Sequence, residues 1–228
     1  QRIGLRQREA IARESIPCRI FAHRWQQPGR HPLALDPQRH HNVSAGQTLG
    51  ERGAAAGAGQ LGRRGHQLAR ADQPIHDDKL RDVDIADVAR EQLAAHLGRA
   101  EQCGVQLRSA LQPGATRADP ALLSVLVRNL LDNALRYTPA GGHITVMTGA
   151  GAEGPVLTVE DDGPGIPEPE RERVFERFRR LPGHKAPGSG LGLSIVRRVA
   201  DVHGAQVAIA AGPGEKGTRV SVRFRQAA

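Results

Sequence analysis

An α/β fold, a two-layer α/β sandwich with a mixed sheet and helices on one face, is predicted by three observations. Stretches with helical spacing alternate with short β-branched runs along residues 81–228. Several of the runs are near neighbours in sequence, as adjacent strands of one sheet are. The helical stretches begin at cap residues and end at glycine or proline.

The elements follow in order. "DVDIADVAREQLAAHLGRAEQCG" places Ile85, Val88, Ala89, Leu93 and Leu97 at helical spacing, with Asp84 as N-cap and Gly104 past the end. "VQLRSAL" alternates as a strand. Asp119-Pro120 supplies a cap and a proline at the first helical position, and "ALLSVLVRNLLDNALRYTP" is a long amphipathic helix stopped by Pro139. The strands "HITVMTG" and "PVLTVE" are joined by a glycine-rich turn. "EPERERVFERF" (168–178) reads as helical and leads into a polar loop from Leu181 to Gly190. "LGLSIVRRVADVHG" is a third core helix closed by Gly204, and "AQVAIAA" and "TRVSVRF" are the last strands.

Aromatic residues make up 3% of the chain, so its core must rest on Leu, Val, Ile and Ala. No apolar run approaches the roughly 18 to 20 residues that span a bilayer, no signal peptide opens the chain, and a soluble protein is expected. Cys18 and Cys103 lack metal-type spacing, and the ten histidines form no ligand pattern. The net charge of +8 raises the question of nucleic acid, but its distribution argues against it: residues 1–67 carry 11 Arg against 4 acids, and the rest of the chain is nearly neutral. That basic Arg/Gly/Ala/Gln-rich region has little apolar surface to offset ordering entropy. It is expected to be largely irregular, with short helical pieces such as "LRQREAIARES". No nucleic-acid partner is expected.

Three stretches carry chemistry. In the long helix Asn129 and Asn133 are four residues apart and Arg136 three further, so they share a face. A polar stripe ordinarily faces water. Here Leu130, Leu131, Ala134 and Leu135 narrow it to a seam, which favours a cleft; its amides suit a hydrated Mg²⁺ and its guanidinium suits phosphate oxygens. In "GSGLGLSIV", Gly188, Gly190 and Gly192 precede a helix and permit backbone amides to converge on an anion. By itself this is a weak signal, and it is neither a dinucleotide fingerprint nor a P-loop. In "VEDDGPGIP" a buried strand ends in three acids. Taken alone it reads as well as a solvated strand end, but a carboxylate at the mouth of a cleft accepts from a purine's exocyclic amine. Asp161 is the candidate for adenine, with Gly163 and Gly165 giving room for the ring.

Together "NLLDNALRYTP", "VEDDGPGIP", "VFERFRR", "GSGLGLSIV" and "GEKGTRV", in this order, resemble the N, G1, F, G2 and G3 boxes of the catalytic ATP-binding domain of bacterial two-component sensor histidine kinases. These belong to the GHKL superfamily and have the Bergerat fold. The resemblance covers roughly residues 68–228. It implies ATP and Mg²⁺ as cofactors, with Asn133 the metal-binding asparagine, Asn129 its partner one turn earlier, and Arg136 and Tyr137 on the phosphate and ribose side. It further implies that Asp161 binds adenine with support from Thr218, that Phe175 and Phe178 anchor an ATP lid over about residues 172–190, and that Gly188, Gly190, Leu191 and Gly192 form the G2 turn. Asn129, Arg136 and Arg180 are the catalytic candidates. His184 and Lys185 lie in the lid, where a solvated position is the simpler reading.

ATP-hydrolysing relatives such as DNA gyrase place a glutamate four residues before the metal-binding asparagine, as general base. Asn129 stands there, and an amide cannot accept that proton, so the resemblance implies transfer to a protein side chain. The anti-sigma-factor serine kinases, which keep the acid, fit less well. The implied partners are a response regulator receiver domain and a phosphoacceptor histidine hairpin, with a homodimer in the intact kinase. Such kinases are usually attached to the inner membrane with this domain cytoplasmic. None of the ten histidines has an H-E-x-x-T-P context. "HQLARADQP" (66–74) resembles only the end of the hairpin's second helix, which divides the chain into 1–67, a linker 68–80 and the ATP-binding domain 81–228. The first region is then either a domain of its own or the product of a shifted reading frame. If the hairpin is absent, the chain is an ATP-binding module whose histidine comes from elsewhere.

Overall fold

A computed structural model describes residues 62, 65–67, 69, 71–72, 75–181 and 189–226. Nearly all of the region 1–67, the lid positions His184 and Lys185, and Gly188 lie outside the described residues.

A two-stranded antiparallel sheet pairs β1 (Arg81–Asp84) with β3 (Ala115–Ala118). A five-stranded mixed sheet runs in the order β2 (Gln106–Leu111), β4 (His143–Gly151), β5 (Gly154–Asp161), β7 (Thr218–Arg223), β6 (Gln206–Ala211). Only β2 and β4 are parallel, because the helix Pro120–Tyr137 crosses over between them. With α1 (Ile85–Cys103), α2 (Pro120–Tyr137) and α3 (Gly192–Val202) packed on the sheet, this is the two-layer sandwich the sequence predicts.

The ends of the helices follow local chemistry. Asp84 Oδ1 accepts from Ala86 N at 2.9 Å, and Gly104 closes α1 in the left-handed region. Asp119 Oδ1 accepts from Ala121 N at 2.8 Å, Pro120 opens α2, and the chain turns out at Thr138 before Pro139. The core fills the space between layers with Leu126, Leu131, Ile144, Val146, Leu157, Ile195, Val222 and Phe224, each almost fully buried. Each such side chain contributes about 2 kcal/mol relative to exposure. On α1 the core takes His96 and Ala100, while Leu97 is half-buried; the His96 ring donates from Nδ1 to Gln92 O and so tolerates burial.

One expectation is corrected. Residues 168–178 are not one helix but two single turns of 3₁₀ helix, Glu168–Glu170 and Arg173–Phe175. The segment is mostly charged and only Val174 is buried within it, so packing does not offset the cost of nucleating an α-helix. The β1–β3 ribbon was not expected either, since four residues are too few for alternation to declare a strand. No helix among the described residues is long and apolar enough to cross a membrane.

Candidate nucleotide-binding site

Strand alternation aims the central acid. Leu157 and Val159 of β5 lie on the helix-covered face, and Asp161 shares their parity. The register of β7 sets Val220 against Val159 and Thr218 against Asp161. Gly163 N donates to Asp161 Oδ1 at 2.8 Å, and Thr218 N donates to the same oxygen at 3.3 Å. The carboxyl is 9% exposed, and burial pushes its pKa up to about 6 against the lowering effect of those donors. A carboxylate has about four acceptor positions, so capacity remains for a ligand donor. The turns around it require glycine by close approach: a Cβ at Gly217 would lie 1.7 Å from Asp161 O, and one at Gly163 2.7 Å from Asp161 Oδ1.

Facing this acid, α2 presents Leu130, Asn133, Ala134, Arg136 and Tyr137 to the cleft. Asn129 stands behind them and is 1% exposed. Its Nδ2 donates to Val125 O at 2.8 Å and to Gln67 Oε1 at 3.2 Å. Val125 O can only accept, so the amide orientation is forced, and Asn129 Oδ1 is left buried with no partner among the described residues. Asn133 abuts the start of α3 so closely that a Cβ at Gly192 would lie 2.8 Å from Asn133 Oδ1. Leu191 at the N-cap of α3 supplies no side-chain cap, and Gly190 and Gly192 line the cleft, so the positive end of the helix opens onto it.

The third wall is built from the segment that follows β5. Val174 lines the cleft, with Arg179, Arg180 and Leu181 after it. Arg179 donates from Nη2 to Glu170 Oε2 at 2.8 Å, which holds that carboxyl below its usual range. Phe175 lies under the Arg197 guanidinium, 5.0 Å from ring centroid to Cζ. Phe178 is exposed and has φ +63°; a Cβ at Gly190 would meet its carbonyl carbon at 2.6 Å, so the backbone at 178 and at 190 is in close contact.

The structure thus brings Asn133, Arg136, Tyr137, Asp161, Gly165, Arg180, Gly190, Gly192 and Thr218 to one cleft. Asn129, Gly163, Phe175, Phe178 and Leu191 are not among the lining residues. Sequence reasoning missed Ile166, Val174, Arg179 and Leu193 in the wall. Apolar residues such as these carry no motif signal, and Arg179 was overlooked beside Arg180.

Residues ahead of the sandwich touch the same region. Gln67 reaches Asn129, Ala71 is fully buried, and Asp72 accepts from Arg177 Nη2 at 3.1 Å and pairs with Arg198 at 3.2 Å.

The model of the "Histidine kinase-, DNA gyrase B-, and HSP90-like ATPase" family matches residues 118–228. Sensor protein QseC of Escherichia coli K12 is 38% identical over 142 residues, covering 61% of this chain and 31% of QseC. Among solved structures, the mycobacterial sensor histidine kinase MprB is 33% identical with a TM-score of 0.58, over 64% of this chain and 97% of that one. Full-length ShkA in complex with AMPPNP is 25% identical with a TM-score of 0.61, over 80% of this chain and 41% of that one. The chain spans about a third of the length of the curated relatives it matches. With the cleft formed by the same five motifs, the chain belongs to the sensor histidine kinases of this ATPase family and carries their ATP-binding domain.

Proposed function

We propose that this chain is the catalytic ATP-binding region of a two-component sensor histidine kinase. It would hold Mg-ATP so that the γ-phosphoryl passes to a histidine, whence it is relayed to a response regulator's aspartate. The observation that carries the reading is the opposition, across one cleft, of a buried backbone-braced carboxylate and an amide–guanidinium seam next to a helix N-terminus. Asp161 accepts from the adenine amine, and Ile166, Val174 and Leu193 exclude water around the ring. Arg136 and Arg180 stand where phosphate charge must be neutralised.

The residues fit Mg²⁺. Asn129 Oδ1 is an unsatisfied buried acceptor, and Asn133 adds a second amide oxygen on the same helix face. When bound, the ion would neutralise and orient phosphate oxygens, with Asn133 its protein ligand and Asn129 supporting it. Among the described residues no group of three His, Cys, Asp or Glu side chains is placed to hold a metal, so amide and phosphate oxygens would have to suffice. Hydrolysis is disfavoured: Asn129 occupies the place of a general base, and its Nδ2 is tied to Val125 O. In the transfer the bond between the γ-phosphorus and the β-bridging oxygen breaks, ADP leaves, and a histidine nitrogen takes the phosphoryl.

A second reading is an ATP-binding module without catalysis, which would phosphorylate neither itself nor a separate hairpin. It is favoured by the described histidines: His96 and His203 are tied to carbonyls of their own helices and His143 to Asp162, and neither these nor His66 and His76 have a phosphoacceptor context. The extent of the domain, 81–228, is supported by the β1–β3 ribbon at its start. A cytoplasmic site, a homodimer in the intact kinase and a receiver-domain partner belong to the same proposal. Incubation with γ-labelled ATP and Mg²⁺ decides between the two readings. Acid-labile label should appear on a separately supplied histidine-bearing hairpin, and not on this chain alone. Nucleotide binding with no label on any hairpin supports the module.

A further inference from the structure

Arg177 and Arg198 belong to two different walls of the cleft. Arg177 lies between Val174 and the stretch Arg179–Leu181, all of which line the cleft. Arg198 lies on α3, whose first residues, Gly192 and Leu193, line it too. One carboxylate from outside the sandwich joins them. Arg177 Nη2 donates to both oxygens of Asp72, at 3.1 Å each, and Arg198 Nε stands 3.2 Å from Asp72 Oδ1. The backbone behind this carboxylate is itself fixed. Ala71 is fully buried against the core, and Arg198 donates from Nε to Ala71 O at 3.1 Å and from Nη2 to Asp72 O at 3.4 Å.

We propose that Asp72 is a positioning residue for the nucleotide, acting through Arg177 on the wall 174–181. The inference rests on the reading of the cleft as an ATP site. Its logic is that of ordering in advance. Between residues 168 and 181 only Val174 is buried, so packing alone leaves this wall free to shift. A ligand that closes against the wall must order it, and the cost is smaller where a clamp has already done so. Asp72 also stands between two guanidinium groups that would otherwise repel one another and push the wall away from α3. By thermodynamic reciprocity, a filled cleft holds Asp72 more firmly by the same factor.

The other ties of this segment act elsewhere along it. Phe175 under Arg197, and Glu172 at 3.9 Å from Arg197, hold its first half. The pair of Arg179 with Glu170 lies within the segment and does not reach α3. The close backbone approach of Phe178 and Gly190 comes one residue after Arg177. Asp72 thus secures the middle of the wall, just ahead of the residues that face the cleft. Its effect should be modest, because the side chains of Arg177 and Asp72 are 53% and 38% exposed and water screens the pair.

The test is Mg-ATP affinity of the full chain by calorimetry, in low salt and in about 1 M NaCl, for wild type, Asp72→Asn, Arg177→Gln, the two combined, and Asp161→Ala, with thermal unfolding as a check of folding. The ratio to wild type cancels the effect of salt on ATP itself. Asp72→Asn should bind about threefold more weakly than wild type in low salt, and the ratio should approach one in about 1 M salt, where the ion pairs are screened in wild type as well. Arg177→Gln should show a similar loss, and the combined variant should bind no more weakly than Asp72→Asn, since both remove the same tie. If Asp72→Asn does not fold, Arg177→Gln carries the same comparison. Wild-type affinity in low salt overturns the proposal, and so does a loss that persists in high salt or that adds in the combined variant, which marks a purely structural role. Asp161→Ala should lose ATP in both salts. If it binds normally, the adenine assignment fails, and the inference with it; if it alone loses binding, only the role of Asp72 fails.

Discussion

In the proposed reading, Asp161 carries a conflict between stability and recognition. The fold buries it, so its carboxyl is raised from an ordinary 3.8 to about 6. Between those values the folded state binds more protons than the unfolded one, so stability falls as pH rises through the window. Above it the ionised group costs about 2–3 kcal/mol. Asp161→Asn keeps an oxygen for Gly163 N and Thr218 N and removes the charge. Without nucleotide, this variant should therefore melt above wild type at about pH 7.5, and the two should converge near pH 4. A lower melting temperature at about pH 7.5 would show that the acid is stabilised rather than strained. The end of an apolar strand before Gly163-Pro164-Gly165 made this residue a candidate, and the resemblance of the ordered motifs separated it from a solvated strand end. That Thr218, 57 positions away, supports it was implied by the family resemblance alone; that its backbone N would reach the same oxygen as Gly163 N depends on strand register.

At the scale of elements, the join of α2 and α3 has its own titrating contact. His203, at the C-cap of α3, accepts at Nε2 from Asp119 N at 3.0 Å and donates from Nδ1 to Val199 O at 2.7 Å. A ring that accepts at one nitrogen must be neutral, and burial lowers its pKa below the ordinary 6.5. The sign is that of a depressed value: the contribution is intact above about pH 6.5 and is lost as pH falls through the folded-state value. Between about pH 7.5 and pH 5 the urea unfolding midpoint of wild type should fall relative to that of His203→Gln, which cannot titrate, since the opposite Asp161 contribution is common to both; an equal pH dependence in the two would remove His203 as the cause. The helices themselves were legible because Asp84, Asp119-Pro120, Gly104 and Gly204 mark their ends. The 3₁₀ turns at 168–175 were not: their charged residues have helical propensity, and the structure declines it because only Val174 finds a core to enter.

For the whole molecule, the order of motifs in sequence is the order of walls around one cleft. The α2 seam, the end of β5, the segment Arg179–Leu181 and the start of α3 are separated by up to about 60 residues of chain, and the mixed sheet brings them together. Motif spacing could predict part of the set that meets, Asn133, Arg136, Asp161 and Thr218 among them. It could not predict that Asn129 would sit behind the wall with its Oδ1 unpartnered, or that Gln67 would reach it, because both depend on packing between distant segments. The central claim is that this cleft reads a purine through Asp161. Equilibrium titration with Mg-ATP and Mg-GTP, on wild type and Asp161→Asn, tests it most directly. ATP should bind wild type at least tenfold more tightly than GTP, and Asp161→Asn should lose that preference while remaining folded. Equal affinity of wild type for the two nucleotides, or an unchanged preference in Asp161→Asn, would contradict the account.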